Sequence, residues 1–294
     1  PSFISFGSPF PHPFPYLFAH TDPITFATRA IRWYTLHVNA NDIACTGATP
    51  RWFPATLLLP AERTTPPLVD AIFEQIARAC AELGVVLVGG HTEITYGLDR
   101  PIVVGCMLGE VAAERLVRPD GARPGDILLV TKGVAVEGTA IIARERDEGL
   151  AGLDGAFLER CRGFLHDPGI SVVRDAAVAT AVGEVHAMHD PTEGGLATGL
   201  WELAEAAGVG LEVDEAAIPI LPETRILCER LGLDPLGLIA SGALLLVVKP
   251  EDAPAILAAL ERDGIPAVCI GRAVEQERGI VLRSAAGERP LPRF

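Results

Sequence analysis

The chain has 294 residues, enough for two ordinary domains, and 49% of them are hydrophobic, enough for a sizeable core. Its formal net charge is −14 at pH 7 and its isoelectric point is near 4.9. This acidity argues against a protein that binds nucleic acid or an anionic membrane, because both partners call for a basic surface. Nucleotides stay open as ligands, since Mg²⁺ can bridge acidic side chains to phosphate.

Six scattered cysteines show no zinc-binding spacing, which predicts buried, reduced thiols and a cytoplasmic protein. No apolar run reaches the roughly 18 residues of a membrane span, so no membrane segment is expected. The opening segment, Pro1 to Pro15, is rich in Pro and Phe and is expected to be irregular. Because it lacks an initiating Met, we expect the natural beginning of the chain to be missing.

A short strand is predicted at Tyr16 to Ala19, followed by a turn that contains Asp22 and Pro23. Strand ends are where α/β folds place ligand-binding groups, so Asp22 is a candidate ligand. Asp before Pro is also a common turn residue, and on these residues alone the turn is favoured.

The stretch His37 to Pro50 reads HVNANDIACTGATP and predicts a helix that ends at Gly47. Asn39, Asn41 and Asp42 lie on its more polar side. A carboxylate flanked by two amides can hold a hard cation such as Mg²⁺. The alternative is an ordinary solvated helix face.

Next come a strand at Arg51 to Leu59, a helix at about 66–83 and a short strand at Val85 to Val88. Gly89 and Gly90 follow, and paired glycines after a strand let the backbone approach a ligand closely. His91 and Glu93 emerge just past them. A further strand is predicted at Ile102 to Leu108.

A Gly/Pro turn at Gly121 to Asp126 is the best boundary, which predicts domains at residues 1–122 and 123–294. Strands and helices alternate through both halves, which indicates an α/β or α+β sheet architecture. In the second half, strands are predicted at 127–131, 185–188, 209–213, 243–248, 268–274 and 280–282. Helices are predicted up to about 146 and at 171–182, 196–207, 222–231 and 251–262.

The segment from His189 to Leu196 places Asp190 and Thr192 in a turn between a strand and a helix. Gly194 and Gly195 come directly before the helix. A helix N-terminus reached through such a turn is a natural seat for phosphate. His186 and His189 are expected to face opposite sides of their strand, so they should not share a metal.

Five motifs occur in order over roughly residues 16–283: HTDPIT, VNANDIACTGATPRWF, LVGGHTE, MHDPTEGGL and ASGALLLVV. Together they resemble the signature elements of the aminoimidazole ribonucleotide synthetase (PurM-like) superfamily. Any one of them is weak, whereas five in the same order are a specific signal.

The resemblance implies a two-domain architecture. The N-terminal domain would dimerise through its sheet into a barrel, and the C-terminal domain would be an α/β sandwich. ATP with Mg²⁺ would bind in a cleft, and the enzyme would activate an oxygen by phosphoryl transfer. Such chemistry depends on positioning and charge neutralisation, so it needs no covalent nucleophile.

Matched position by position, the resemblance implies three groups of functional residues. The metal ligands would be Asp22, Asp42 and Asp190. The cofactor-binding residues would be Asn39, Asn41, Thr192, Gly194 and Gly195. The remaining candidates, His91 and Glu93, would be catalytic.

Three departures from the superfamily pattern stand out. The glycine-rich N-terminal segment with its paired acidic residues has no counterpart in Pro1 to Pro15. His91 stands where an acidic residue is usual, and Glu93 could supply that carboxylate. Carbamoyl dehydratases carry a cysteine in their C-terminal tail, and this chain has none after Cys269.

Within the superfamily the motifs are most like those of the hydrogenase maturation branch, of the carbamoyl dehydratase type. That branch implies a small-molecule or protein-borne acceptor and a maturation partner protein. One alternative is another ATP-dependent member, of the selenophosphate, purine or thiamine-phosphate type. The other is a non-catalytic nucleotide-binding homodimer.

Overall fold

A computed structural model of the chain describes residues 16–24, 31–146 and 149–294. The irregular segment expected at Pro1 to Pro15 lies outside the described residues. The chain divides into two compact units, Pro1–Leu116 and Val117–Phe294. Each unit combines one sheet with several helices, so the expected α/β class with two domains is confirmed.

The first unit builds a four-stranded sheet in the order β1-β4-β2-β3, in which only β2 and β3 pair in parallel. Two helices cover one of its faces, where Phe53, Leu57 and Met107 are fully buried. The elements are β1 (Tyr16–Ile24), α1 (Ile31–Cys45), β2 (Thr49–Pro60), α2 (Pro66–Leu83), β3 (Val86–Thr95) and β4 (Ile102–Val111).

The helix predictions for this unit are confirmed. The apolar spacing of α2 buries Ile72, Ile76 and Ala79, and Gly84 ends the helix in the left-handed conformation that favours glycine. Helix α1 packs close to the sheet because Gly105 lacks a side chain. A Cβ atom there would lie only 2.7 Å from Thr35 Cγ2.

All four strands of this unit are longer than predicted, and the difference is largest for β1 and β3. β1 continues to Ile24, so Asp22 lies inside a strand and the predicted turn is wrong. Pro23 is tolerated because β1 is an edge strand and the missing N–H costs no ladder bond inside the sheet. β3 continues to Thr95 because the long strand β2 offers partners as far as Pro60, so His91 and Glu93 lie within it.

The second unit is a seven-stranded mixed sheet in the order β11-β10-β7-β9-β5-β8-β6. Its strands are β5 (Ile127–Thr131), β6 (Val185–His189), β7 (Gly210–Asp214), β8 (Leu245–Val248), β9 (Ala267–Val274), β10 (Ile280–Ser284) and β11 (Gly287–Pro290). Its helices are α3 (Val136–Glu145), α4 (Gly155–Gly163), α5 (Val173–Val182), α6 (Gly195–Ala207), α7 (Pro222–Leu231) and α8 (Ala253–Arg262).

The main core of this unit joins one face of the sheet to α6, with Leu200, Leu211, Val213, Val247 and Leu282 buried together. Strands β5 and β6 both pair antiparallel with β8. The carboxyl ends of β5 and β6 and the start of β8 therefore meet at one edge of the sheet. This edge carries the candidate residues of the second unit.

In residues 16–24, 31–146 and 149–294 we find no helix with both the length and the apolar character required to cross a bilayer. All six cysteines lie in the described ranges and are free thiols. Cys80, Cys161 and Cys228 are buried, Cys45 and Cys106 are half-buried, and Cys269 is exposed.

Candidate functional site

The candidate residues of the first unit meet where α1 crosses β1. Asn39 is fully buried, and its Nδ2 donates to the carbonyl oxygens of Thr35 (2.7 Å) and Asp22 (3.3 Å). Its Oδ1 has no hydrogen-bond partner among the described residues. Asn41 is also fully buried. Two amides buried in this way rule out the alternative of an ordinary solvated helix face.

Asp42 lies one turn after Asn39 and keeps 29% of its side chain exposed. Its Oδ2 is 3.1 Å from His20 Nε2, and His20 comes from the same strand as Asp22. Burial lowers the pKa of His20, so its ring is neutral at neutral pH. Asp42 is therefore a partly exposed carboxylate next to a histidine whose burial favours the neutral ring.

This arrangement fits the chemistry of Mg²⁺, the metal that the resemblance implies. No three His, Cys, Asp or Glu side chains in the described ranges come together as a metal site. Mg²⁺ does not need such a cluster, because it is usually held by one or two carboxylates together with water and substrate phosphate. Asn39 Oδ1 is a hard oxygen on the same helix as Asp42 and has no partner among the described residues, which favours such a cation.

His91 and Glu93 lie elsewhere on the same sheet. In register, His91 pairs with Thr56 and Glu93 with Leu58, whereas Asp22 shares its row with Gly105 and Ala55. Because neighbouring rows point to opposite faces, His91 and Glu93 face away from α1. Their side chains are 68% and 59% exposed, with Nε2 and Oε2 3.7 Å apart.

The glycine before His91 has a structural reason. A Cβ atom at Gly90 would lie 1.8 Å from the carbonyl oxygen of Ala55 on β2. Gly90 therefore lets β3 lie close to β2, which explains this glycine without a ligand. The catalytic role of His91 and Glu93 stays a prediction.

The predicted phosphate-binding turn of the second unit leads from β6 into α6. Asp190 is buried, Thr192 is half-buried, and the Thr192 carbonyl accepts from the Gly195 N–H at 3.0 Å. Gly194 and Gly195 both have positive φ angles, 74° and 62°. The sequence thus forms the expected strand, turn and helix N-terminus.

Part of this helix N-terminus is already occupied by the chain itself. The Ala197 N–H donates to the Leu236 carbonyl at 3.0 Å. A Cβ atom at Gly195 would lie 2.5 Å from the same oxygen. The absence of a side chain at Gly195 therefore lets the loop before β8 pack against the start of α6. Phosphate binding by Gly194 and Gly195 stays a prediction.

The two histidines of β6 bind different partners, as predicted. His186 Nδ1 is 2.8 Å from Asp126 Oδ2, and His189 Nε2 is 2.7 Å from Glu202 Oε2. Burial works against a charged His189, but the hydrogen bond to Glu202 and the nearby charge of Asp190 outweigh it and raise the pKa. Neither histidine is set up to share a metal with the other.

Sequence reasoning missed a buried carboxyl group near Asp190. Glu137, at the start of α3, is 1% exposed, and burial raises its pKa to about 7. Ser241 favours its ionised form, whereas the charges of Glu193 and Asp190 oppose it. Within the described ranges neither Glu137 Oε2 nor Ser241 Oγ has a hydrogen-bond partner. The sequence did contain a sign of this buried acid, because Glu137 is the single charged residue in the apolar run VAVEGTAI.

A second buried polar group at the same sheet edge is fully paired. Lys132 Nζ donates to the Ser171 carbonyl at 2.5 Å and lies 3.4 Å from Asp175 Oδ1. Thr131 Oγ1 donates to the same Asp175 oxygen at 2.7 Å. Burial lowers the pKa of Lys132 against the influence of Asp175. Because its donors are already engaged, Lys132 is a structural residue.

Comparison with known proteins identifies the family. Residues 15–111 match the AIR synthase related protein, N-terminal domain, and residues 123–283 match the corresponding C-terminal domain. The chain belongs to the AIR synthase related protein family. Its fold is accordingly of the PurM-like type, and HypE proteins are among its similar relatives and solved structures.

A carbamoyl dehydratase HypE of Cupriavidus necator is 35% identical to the chain over 265 residues. The match covers 88% of this chain and 72% of that relative. The crystal structure of Escherichia coli HypE, a hydrogenase maturation protein, superposes with a TM-score of 0.81 at 27% identity. It covers 94% of this chain and 85% of the other.

A crystal structure of the hydrogenase maturation protein HypE in complex with ATP has a TM-score of 0.80 at 27% identity. That match covers all of this chain and 88% of the other. The whole length described here thus has a counterpart in a HypE protein that was crystallised with a nucleotide.

Proposed function

We propose that this protein is an ATP-dependent and Mg²⁺-dependent enzyme of hydrogenase maturation, of the carbamoyl dehydratase type. One observation carries the proposal: a HypE carbamoyl dehydratase is similar to the chain over 88% of its length. A similar HypE has been crystallised with ATP, which supports ATP as the cofactor here. The reaction would activate an oxygen of its acceptor by phosphoryl transfer from ATP.

The proposed metal ligands are Asp22 and Asp42 in the first unit and Asp190 in the second. Bound Mg²⁺ would supply charge neutralisation of the phosphates. Asn39 supports this role because its Nδ2 fixes the backbone at Asp22 while its Oδ1 stays available. Helix α1 is firmly packed, so it can hold Asp42 in one position, which phosphoryl transfer requires of its metal ligands.

The proposed cofactor-binding residues in the turn before α6 are Thr192, Gly194 and Gly195, and those on α1 are Asn39 and Asn41. Helix N-termini and turns with positive φ angles place backbone N–H groups toward anions. Since Ala197 and Gly195 already donate within the chain, Gly194 and Thr192 are the residues of the turn best able to contact phosphate.

Calorimetric titration of ATP in the presence of Mg²⁺ tests the metal assignment. We expect Asp42→Asn to weaken ATP binding by about tenfold or more, because loss of a ligand charge weakens metal binding. Asp70→Asn is the matched control, since Asp70 is exposed on α2. ATP binding by Asp42→Asn at the strength of the Asp70→Asn control would overturn the assignment of Asp42.

Release of phosphate from ATP separates an enzyme from a non-catalytic nucleotide-binding protein. Turnover in a mixture that contains the maturation partner and the acceptor supports the enzyme. ATP binding without turnover in that mixture would favour the scaffold alternative. The maturation partner itself stays a prediction.

We also propose that the protein is a homodimer formed through the sheet of the first unit. Within residues 16–24 and 31–116, helices cover one face of this sheet, and Leu17 on the other face is 47% exposed. The edge strand β3 is exposed along most of its length. An uncovered sheet face and an unpaired edge both favour association with a second copy.

A further inference from the structure

The outer face of the second sheet carries a cavity that the proposed reaction does not use. Its volume is about 620 Å³, within the usual range of small-molecule sites. Strands β7, β9 and β10 form its floor, and Arg272, Arg283, Glu212, Asp214 and Cys269 are among the residues that line it. The opposite face of these strands is the apolar core of the unit.

Three arginines surround a single carboxylate at the edge of this cavity. Arg272 donates to Glu212 Oε2 through Nε (3.1 Å) and Nη2 (2.8 Å). Arg278 Nε donates to the other oxygen, Oε1, at 3.2 Å. The hydrogen bonds of these guanidinium groups lower the pKa of Glu212, which keeps it ionised. Both of its oxygens are therefore engaged as acceptors.

Arg283 is different, because its guanidinium group donates no hydrogen bond to another described residue. Its Nη1 lies 3.5 Å from Glu212 Oε2 and its Nε lies 3.7 Å from Glu288 Oε1, both too long for good hydrogen bonds. The guanidinium is 56% exposed on the cavity wall. Arg272 Nη1 likewise makes no hydrogen bond within the described residues.

The cavity wall thus has unused donors but few unused acceptors. Asp214 Oδ1 already accepts from the Ala216 N–H at 3.0 Å. The charges of the surrounding arginines and acids nearly balance, so binding here would depend on directional hydrogen bonds. A guanidinium group offers paired N–H donors that match the two oxygens of a carboxylate or phosphate.

We propose that this cavity binds a small molecule through a carboxylate or phosphate group, held by Arg283 and by the free Nη1 of Arg272. The site is distinct from the candidate ATP-binding residues, which lie on α1 and in the turn before α6. It does not depend on the proposed reaction. A second site of this kind gives a metabolite a place to bind without competing for those residues.

Cys269 provides a local reporter of occupancy. Its thiol is exposed in the cavity, whereas the other five cysteines are buried or half-buried. A ligand on Arg283 and Arg272 should cover this thiol and slow its alkylation by N-ethylmaleimide. Mass spectrometry of the peptide that contains Cys269 separates its reaction from that of the other cysteines.

The experiment compares inorganic phosphate, succinate and chloride at equal ionic strength, using the whole chain. We expect phosphate or succinate to slow alkylation of Cys269 by roughly fivefold when the anion exceeds its dissociation constant several times. Whichever of the two protects identifies the ligand group as phosphate or carboxylate. Protection by neither anion, or equal protection by chloride, would overturn the proposal.

Variants assign the effect to the guanidinium group. Arg283→Ala and Arg283→Lys should both lose protection, because lysine keeps the charge but not the paired donors. Arg289→Ala is the matched control, since Arg289 on β11 binds Glu215, just after β7, and does not line the cavity. Protection that survives in Arg283→Ala, or that disappears equally in Arg289→Ala, would contradict the assignment.

Discussion

Glu137 shows how burial alone can change the chemistry of one residue. It is an acid in an apolar helix start, and burial raises its pKa to about 7. The folded protein therefore holds this proton more tightly than the unfolded chain does. Stability from this group is fully present below the pKa of the unfolded chain and is lost as the pH rises toward 7.

This linkage predicts a pH-dependent effect of Glu137→Gln. Between pH 4.5 and 7.5, the free energy of unfolding of Glu137→Gln should rise relative to wild type by about 3 kcal/mol. Urea titrations at several pH values measure this difference. Glu145→Gln, an exposed site on the same helix, is the control variant. A constant difference for Glu137→Gln would show that its pKa is not raised.

At the residue level, sequence spacing correctly placed Asn39 and Asp42 on one helix. It could not show that the amides are buried, because the elements that pack against α1 are β1, β2, β4 and α2, which are separate in sequence. The same limit hid Glu137 and Ser241, which are far apart in the chain and meet only where α3 and β8 reach one sheet edge.

Helix α6 shows how one element depends on a loop distant in sequence. Gly195 begins the helix and Gly208 follows its end, both with positive φ angles. A Cβ atom at Gly195 would strike the carbonyl oxygens of Leu236 and Leu238, at 2.5 and 2.6 Å. At Gly208 a Cβ atom would have no neighbour within 4 Å.

Alanine substitutions at the two ends of α6 should therefore lower the free energy of unfolding by different amounts. Gly208→Ala carries only the strain of a left-handed residue, about 1 kcal/mol. Gly195→Ala adds displacement of the loop before β8, for a total of about 3 kcal/mol. Chemical denaturation of both variants measures the difference. Equal costs would mean that the loop does not press against this helix start.

At the element level, periodicity and capping residues predicted the helices well, and α2 and α7 match their predicted bounds. The strand ends were less predictable. Pro23 was predicted to lie in a turn, and the Gly89-Gly90 pair was predicted to follow the end of a strand. Pairing with β4 and β2 instead holds these residues inside strands. Strand β11 escaped prediction because its four residues, GERP, carry no alternating apolar pattern.

The sheet face of the first unit that its helices do not cover leads us to expect a dimer in solution. Light scattering should give twice the 31.1 kDa mass of one chain. Leu17→Glu should shift this mass toward the monomer, because it places a charge on the face proposed to associate. Val182→Glu, an equally exposed apolar site on α5, should leave the dimer intact. A monomeric wild-type protein would contradict the proposed homodimer.

At this scale, five ordered motifs indicated the family and its two-domain fold, both of which are confirmed. Acidic composition could exclude a basic nucleic-acid surface but could not identify an acceptor. The domain boundary expected between residues 122 and 123 stays a prediction. The anion cavity could not be foreseen, since its arginines come from β9 and β10 and its carboxylates from β7.

The most direct test of the central claim is calorimetric titration of the wild-type chain with ATP, with Mg²⁺ and then with excess EDTA. We expect binding in Mg²⁺ that is weakened by about tenfold or more in EDTA, because the metal links the acidic side chains to phosphate. ATP binding of equal strength in EDTA would contradict the metal site. No ATP binding under either condition would contradict the proposed function as a whole.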